Sequence, residues 1–508
     1  MDKVTRFLIK YKWITFVLFA LLYWLFFVAL QINRGLNSEL ISGYHYWRKS
    51  DTYAQILNYY NNGLNFFDFS LYFNQMTSQG KAVGEFPLFY YLIAIQKTIF
   101  GDHIIVAKIN WIIVSFFGLF SLFKIALHFT KSHIYSFIIA LSPFLLPIYS
   151  VYLVEFLPDP IAFHFVLIGL YFLLRSHNEN KKHLLYFSLF FISWAGMIKP
   201  FFLIPYIAFL CIYLFIRIKE KKINIKDGIY FIPALFILTW FYYMTWYNRS
   251  VDCDCFLSTL QPLWKIAPEE IATLKLYFIN IWLPGYISAA FGIVCILVTL
   301  LYFILKPKEK PLTLAFVSLS ILGTLIFTIL FFVMIKNHDY YVWPVLFLMP
   351  LILTAFIQKF SEKKWWNSTI PSLVGIGLLT TMYFHTSYAS NIRRFRINDP
   401  FITPSWHFST YTNLDHFLNK NGITKDTLII AFSDKSPNYA LSLMNRKGWS
   451  GYQTEYVKYT IPMIKNLGAN YLILNDQTLN HQDSLLLTDV SMKLIADTNH
   501  LFLYHLLD

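Results

Sequence analysis

Apolar residues run in long unbroken stretches along most of this chain, with short polar intervals between them. The first stretch is WITFVLFALLYWLFFVALQI, beginning at Trp13. Others follow at roughly 87–100, 104–123, 134–153, 160–174, 184–198, 201–216, 228–246, 282–305, 312–335, 341–357 and 368–386. Most have the length of a helical bilayer crossing, about 17–25 residues. The run PLFYYLIAIQKTIF at 87–100 is too short to span and reads as interfacial or re-entrant. Beyond residue 387 the long apolar runs stop. There TLIIAFS (427–433), NYLILND (470–476) and MKLIAD (492–497) predict short buried strands. SPNYALSLMNRKG predicts a helix, with Ser436 as N-cap, Pro437 in the first turn and Gly448 at its end.

The side of each loop follows from its basic residues, because cytoplasmic loops concentrate Lys and Arg. The clusters are Lys3/Arg6/Lys10/Lys12, Lys124/Lys131, Arg175/Lys181/Lys182, Arg217 to Lys226, Lys306/Lys308/Lys310 and Lys359/Lys363/Lys364. If all twelve runs cross, the Lys124 loop and every later basic loop lie outside. If the 87–100 run does not cross, every cluster lies inside. The expected fold is therefore a polytopic α-helical membrane protein with eleven crossings, N-terminus in and C-terminus out. A membrane portion, 1–386, includes an outer loop at 31–103, and a small extracytoplasmic α/β domain follows at 387–508. The basic N-terminus lacks an A-x-A cleavage signal and reads as a retained anchor.

Composition agrees. Of 508 residues, 56% are hydrophobic and 14% charged, against about 25% charged in average soluble domains. The net charge of +14 is spread as membrane-loop clusters and does not indicate nucleic-acid binding. Four cysteines make no disulfide framework. Cys211 and Cys295 lie in apolar runs. Cys253 and Cys255 form a CDC that reads as two ordinary loop cysteines, a local disulfide or a metal ligand. The tail has no P-loop and no Gly-rich dinucleotide fingerprint.

The chemistry-bearing residues collect on the predicted outer side. In YHYWRKSDTYAQ, apolar positions Tyr53, Ile56, Leu57, Tyr60 and Leu64 recur at helical spacing, with Asp51, Gln55, Asn58 and Asn62 opposite. This predicts an amphipathic helix along the membrane surface with Asp51 in its first turn, where a carboxylate also suits the helix dipole. Glu85 in GEFPLFYY and Asp159 in FLPDPIAF can likewise start helices. Three acids at outer boundaries, in a chain with 28, equally fit a shared active site. Lys199, in ISWAGMIKPFFLIPY, lies between apolar runs. It either snorkels from a tight turn or meets a phosphate below the headgroups. His338, Asp339, Tyr340 and Tyr341 form another outer turn. Arg48, Lys49, Arg249 and the RRFR run at 393–396 add positive charge on a side that normally avoids it. Lipid headgroups or a lipid-phosphate substrate would satisfy that charge.

In order, these segments resemble the C-type glycosyltransferase superfamily, in the branch of protein O-mannosyltransferases and lipid A aminoarabinose transferases. HYWRKSDTYAQ is similar to the branch's first outer-loop segment with its key Asp. GEFPLFYYLIA is similar to E-x-P-L-Y-Y-L, LPDPIAF to the acidic start of a later crossing, MIKP to a buried K-P, and HDYYVWPVLFLMP to H-x-Y-Y…P. Many members carry an Asp-Glu pair or a Lys before the prolines of the first loop. Here single acids stand at 51 and 85, and Phe86 precedes Pro87.

The resemblance implies transfer of a sugar from a polyprenyl-phosphate donor to a hydroxyl of lipid A, an envelope glycan or a protein, at the outer face of a bacterial inner membrane. Asp51 would be the base. Arg48, Lys199, His338, Tyr340 and Arg249 would hold the donor phosphate. Glu85 and Asp159 would orient acceptor or sugar hydroxyls, or bind a divalent ion. The rival readings are a ligase or polymerase of lipid-linked glycans and a transporter or flippase of lipid-linked sugars. A transporter usually shows internal repeats with a midplane site, and this chain shows no matching halves.

Overall fold

The computed structural model describes residues 11–36, 41, 45–75, 80–253, 256, 260–304, 311–360, 369–395, 414–455, 457–477, 479, 486–488, 490–498 and 500–507. They fall into two compact units.

The first unit (Met1–Asn37, Ile109–Trp240, Thr259–Arg394) is helical. Among the described residues, seven helices are long and apolar enough to cross a bilayer: Lys12–Ala29, Ile104–Thr130, Pro158–Glu179, Pro200–Lys219, Ile225–Ser250, Pro311–Leu330 and Asp339–Phe360. An eighth span results if the bent pair Glu270–Ile287 and Gly292–Ile304 is one crossing. His133–Leu145 and Lys182–Ile198 are shorter apolar helices, as is Leu88–Phe100, which occupies the run that the charge pattern excludes from crossing. A further helix, Thr369–Phe395, covers the last predicted crossing. The packing is that of helices in hydrocarbon. On Lys12–Ala29 one stripe of Thr15, Phe19, Tyr23 and Phe27 is buried, while Leu21 and Trp24 face outward. Phe19 meets Phe116 and Phe120 edge-on at 5.7 and 5.2 Å, a favoured aromatic geometry.

The second unit (Ser38–Lys108, Phe241–Ser258, Phe395–Asp508) joins the long first loop to the tail. Its sheet has the order β2-β1-β3-β5-β4, with β1 Ile429–Ala431, β2 Gly448–Ser450, β3 Tyr471–Asn475, β4 Met492–Thr498 and β5 Leu501–Leu506. β1 pairs in parallel with β2 and β3, and β5 pairs antiparallel with β3 and β4. Ile430, Phe432, Trp449, Ile464 and Leu472 form the core. β4 is an edge strand and is largely exposed, where the sequence predicts a buried one. The predicted tail helix is shorter, Tyr439–Met444, and ends at Asn445 in a left-handed conformation (φ 52°). Gly448 opens β2 instead of closing that helix.

The long first loop extends the β2 edge. The amide of Asn74 donates to the Gly448 carbonyl at 2.6 Å, and the Gly448 amide donates to the Tyr72 carbonyl at 3.0 Å. Gly448 is required here, since a Cβ would fall 1.8 Å from the Ile429 carbonyl oxygen. The Asn248 side chain closes a second junction, bonding the amide and the carbonyl of Val83 at 2.9 and 2.8 Å. Cys253 is disulfide-bonded; Cys255 lies outside the described residues. Cys211 and Cys295 are free thiols.

Candidate active site

Asp51 lies on the helix Tyr46–Asn61, which starts after His45 in a left-handed conformation (φ 54°). The carboxylate is therefore in the second turn and caps nothing, which corrects the first-turn placement. The helix is also not a surface helix. Every residue from Ser50 to Tyr59 except Asp51 is buried, polar Thr52, Gln55 and Asn58 among them. The helix Leu88–Phe100 covers part of it. Tyr91 meets Tyr59 edge-on at 5.4 Å, and the buried Lys97 ammonium lies over Tyr53 and Tyr60 at 5.5 and 5.7 Å while pairing with Asp102.

Arg48, one turn before Asp51, forms an ion pair with Glu85 and comes within 3.9 Å of Asp51 Oδ2. Glu85 thus meets a guanidinium and does not start a helix; the helix after it begins at Leu88, behind Pro87. A third contact comes from the tail: Asn438 Nδ2 donates to Asp51 Oδ1 at 2.7 Å. Arg48, Asp51 and Glu85 side chains are each 10–15% exposed. Burial pushes the Asp51 carboxyl up to about 6, against the opposing pull of Arg48 and the Asn438 hydrogen bond. A carboxylate in that range is a better base near neutral pH than an exposed one.

A second cluster lies within the helical unit. Pro158 and Pro160 open the helix Pro158–Glu179, with Asp159 fully buried in its first turn. Lys199 Nζ donates to both Asp159 oxygens at 2.8 Å. Lys199 follows the helix Lys182–Ile198 in an extended conformation (φ −152°), as a residue before proline prefers. Its ammonium lies 4.8 Å from the ring centres of both Tyr340 and Tyr341. His338 packs on the same two rings at 5.5 and 6.3 Å. Asp339 accepts the Tyr152 hydroxyl, which is 2.8 and 3.0 Å from its two oxygens.

The residues expected to act together therefore form two groups: Arg48, Asp51 and Glu85 in one, and Asp159, Lys199, His338 and Tyr340 in the other. Arg249 is exposed in the last turn of its helix. The side chains of the RRFR run lie outside the described residues. Glu85 and Asp159, the two acids able to hold a divalent ion, each face a cation of the chain, and among the described residues no three His, Cys, Asp or Glu side chains converge.

Residues 84–246 match the sequence profile of the dolichyl-phosphate-mannose-protein mannosyltransferase family. That segment contains Glu85, Asp159 and Lys199. ArnT from Cupriavidus metallidurans, solved bound to undecaprenyl phosphate, superposes with a TM-score of 0.60 at 10% identity over 97% of this chain and 98% of that one. The chain has the fold of ArnT. The apo form of the same ArnT gives a TM-score of 0.59 at 10% identity, over 97% of this chain and 98% of that one. The arabinofuranosyltransferase AftD from Mycobacteria gives 0.52 at 11% identity; 94% of this chain is covered but only 39% of that larger one. No curated protein matches by sequence. With that fold, the chain pairs a helical membrane portion with a small sheet-containing tail, as the sequence predicts. Asn438 and the Lys199–Asp159 pairing are not legible in the sequence.

Proposed function

We propose that this protein transfers a sugar from a polyprenyl-phosphate donor to a hydroxyl acceptor at the outer face of a bacterial inner membrane. The acceptor classes are a glycolipid such as lipid A, an envelope glycan or a protein. The observation that carries the reading is the half-buried Asp51, flanked by Arg48 and raised to about 6. In the reaction the acceptor oxygen attacks the anomeric carbon, the bond from that carbon to the phosphate oxygen breaks, and the hydroxyl proton passes to Asp51. The phosphate departs as an anion and needs cations more than an acid. Lys199 with Tyr340 and His338 is the natural receiver of that charge, with Arg48 and Arg249 contributing; Glu85 and Asp159 orient hydroxyls. The eleven-crossing topology, N-terminus in and C-terminus out, places the loop and tail outside together.

Asp51→Asn tests the reading. The variant should insert and fold while losing transfer from a polyprenyl-phosphate sugar. Undiminished transfer would remove Asp51 as the base.

A further inference from the structure

We infer that Asn438, supplied by the soluble tail, is a positioning residue that orients the Asp51 carboxylate for proton abstraction. The inference rests on the reading of Asp51 as base. Asn438 occupies the N-cap position of the helix Tyr439–Met444 but makes no side-chain cap bond. It is fully buried. Its side-chain oxygen accepts from the amides of Tyr72 and Phe73 at 3.1 Å each. Two backbone donors can be met only by the oxygen of the amide, so the NH2 group must point at Asp51 Oδ1, 2.7 Å away. The orientation of this Asn is thus decided by its partners. Oδ1 is fixed, and Oδ2 is left toward Arg48 at 3.9 Å.

The segment holding Asn438 is itself tied down. Asp434, fully buried, accepts from the Ser436 amide at 2.9 Å, the Ser436 hydroxyl at 2.8 Å and the Ala440 amide at 2.8 Å. The Ser436 hydroxyl in turn accepts from the Tyr439 amide at 3.1 Å. On the other side, the Tyr439 hydroxyl oxygen accepts from the Ile41 amide at 2.6 Å. The apolar and aromatic contacts agree: Tyr46 meets Tyr439 and Trp47 meets Tyr452 edge-on, at 6.3 and 5.5 Å. This network holds the Asn438 segment from both sides. It delivers one neutral donor to one carboxylate oxygen. The charged and titratable groups around Asp51 are Arg48 on its own helix, Glu85 before the helix Leu88–Phe100, Tyr452 in the helix Gly451–Glu455, and Asp434 behind Asn438.

Asn438→Asp separates positioning from docking. It is isosteric and keeps an acceptor for the Tyr72 and Phe73 amides, but it replaces the donor with a second carboxylate facing Asp51. Three readouts apply to the full-length protein in detergent. Hydrogen exchange at the Tyr72 and Phe73 amides reports docking and should be unchanged. Carbodiimide labelling of Asp51, followed by mass spectrometry against pH, should move its midpoint up by about one pH unit or more, since a like charge favours the protonated form. Transfer should lose about 10- to 100-fold in kcat, the size of a lost hydrogen bond to a charge, with donor KM nearly constant and the acid limb of the profile moved upward in step. Wild-type labelling in a docked Asn438→Asp variant overturns the inference, as does a moved labelling midpoint with unchanged kcat. If the wild type transfers from no polyprenyl-phosphate sugar, the functional reading falls, and labelling alone still decides whether Asn438 sets the Asp51 carboxyl. If Asn438→Asp undocks the loop, Asn438→Ser, which removes the reach to Asp51 without adding charge, should lower kcat; wild-type kcat there overturns the inference too.

Discussion

Lys199 and Asp159 allow a structural role to be separated from a phosphate-binding one. Asp159 is fully buried and Lys199 nearly so, with both carboxylate oxygens 2.8 Å from the ammonium. Removing one partner of a buried pair leaves an uncompensated charge and costs about 3–5 kcal/mol. Lys199→Met should therefore destabilise the helical unit by about that amount. Asp159→Asn should cost less, because the ammonium keeps the faces of Tyr340 and Tyr341, each worth about 0.5–2 kcal/mol. The double variant Lys199→Met/Asp159→Leu buries no charge and should regain most of the stability, a coupling of about 3 kcal/mol. Binding behaves differently. If Lys199 meets the donor phosphate, its loss removes a charge-assisted bond of about 1.5–3 kcal/mol, which is roughly 10- to 150-fold in Kd, and the double variant does not regain it. Melting in detergent, scanned against polyprenyl-phosphate concentration, measures both quantities on one sample. A double variant that is stable and binds polyprenyl phosphate as wild type does would refute the phosphate role and leave Lys199 as a packing ion pair.

Transfer should rise with pH through about 6 and level off above it, because Asp51 must be ionised to accept the proton; a rate flat from pH 5 to 8, a window of about 3 units around that value, would contradict the assignment. Gly448→Ala should disrupt the tail sheet, since its Cβ would collide with the Ile429 carbonyl at 1.8 Å; protease resistance of the tail equal to wild type would show that the edge can relax. A reporter fused after Gly101 should lie outside, and one after Asn337 likewise; an inside signal at Gly101 would end the eleven-crossing topology.

The membrane portion was legible because its signal is compositional: long apolar runs and short basic loops need no knowledge of contacts. Asp51, Glu85, Asp159, Lys199 and His338 stood out for the related reason that charge is rare in such a chain. What could not be read was how those charges pair. Arg48 and Glu85 are 37 residues apart, and Lys199 and Asp159 are 40 apart, distances at which neither helical period nor strand alternation carries information. The tail's three predicted strands are real, but β2 is only three residues long and shows no alternation. LFLYHL of β5 does alternate apolar with mixed positions and was readable in principle. The amphipathic pattern of the helix Tyr46–Asn61 was correctly periodic and misleading about exposure. Its polar face is covered by protein, which a one-dimensional pattern cannot distinguish from a face turned to water. Asn438 carries no local mark at all: in SPNYALS it reads as an ordinary helix-start residue, and its meaning lies in a contact 387 residues away.

That separation has a consequence for how the molecule is made. Synthesis proceeds at about 5–20 residues per second, so the stretch between Asp51 and Asn438, 387 residues, takes roughly 20–80 seconds to emerge at that rate. During this time the segment Tyr72–Asn74 has no β2 edge to join. The nascent chain therefore holds Asp51 without the amide that bonds it, and a chain cut short before Asn438 never acquires one. Assembly of the Asp51 site thus waits on nearly the whole polypeptide.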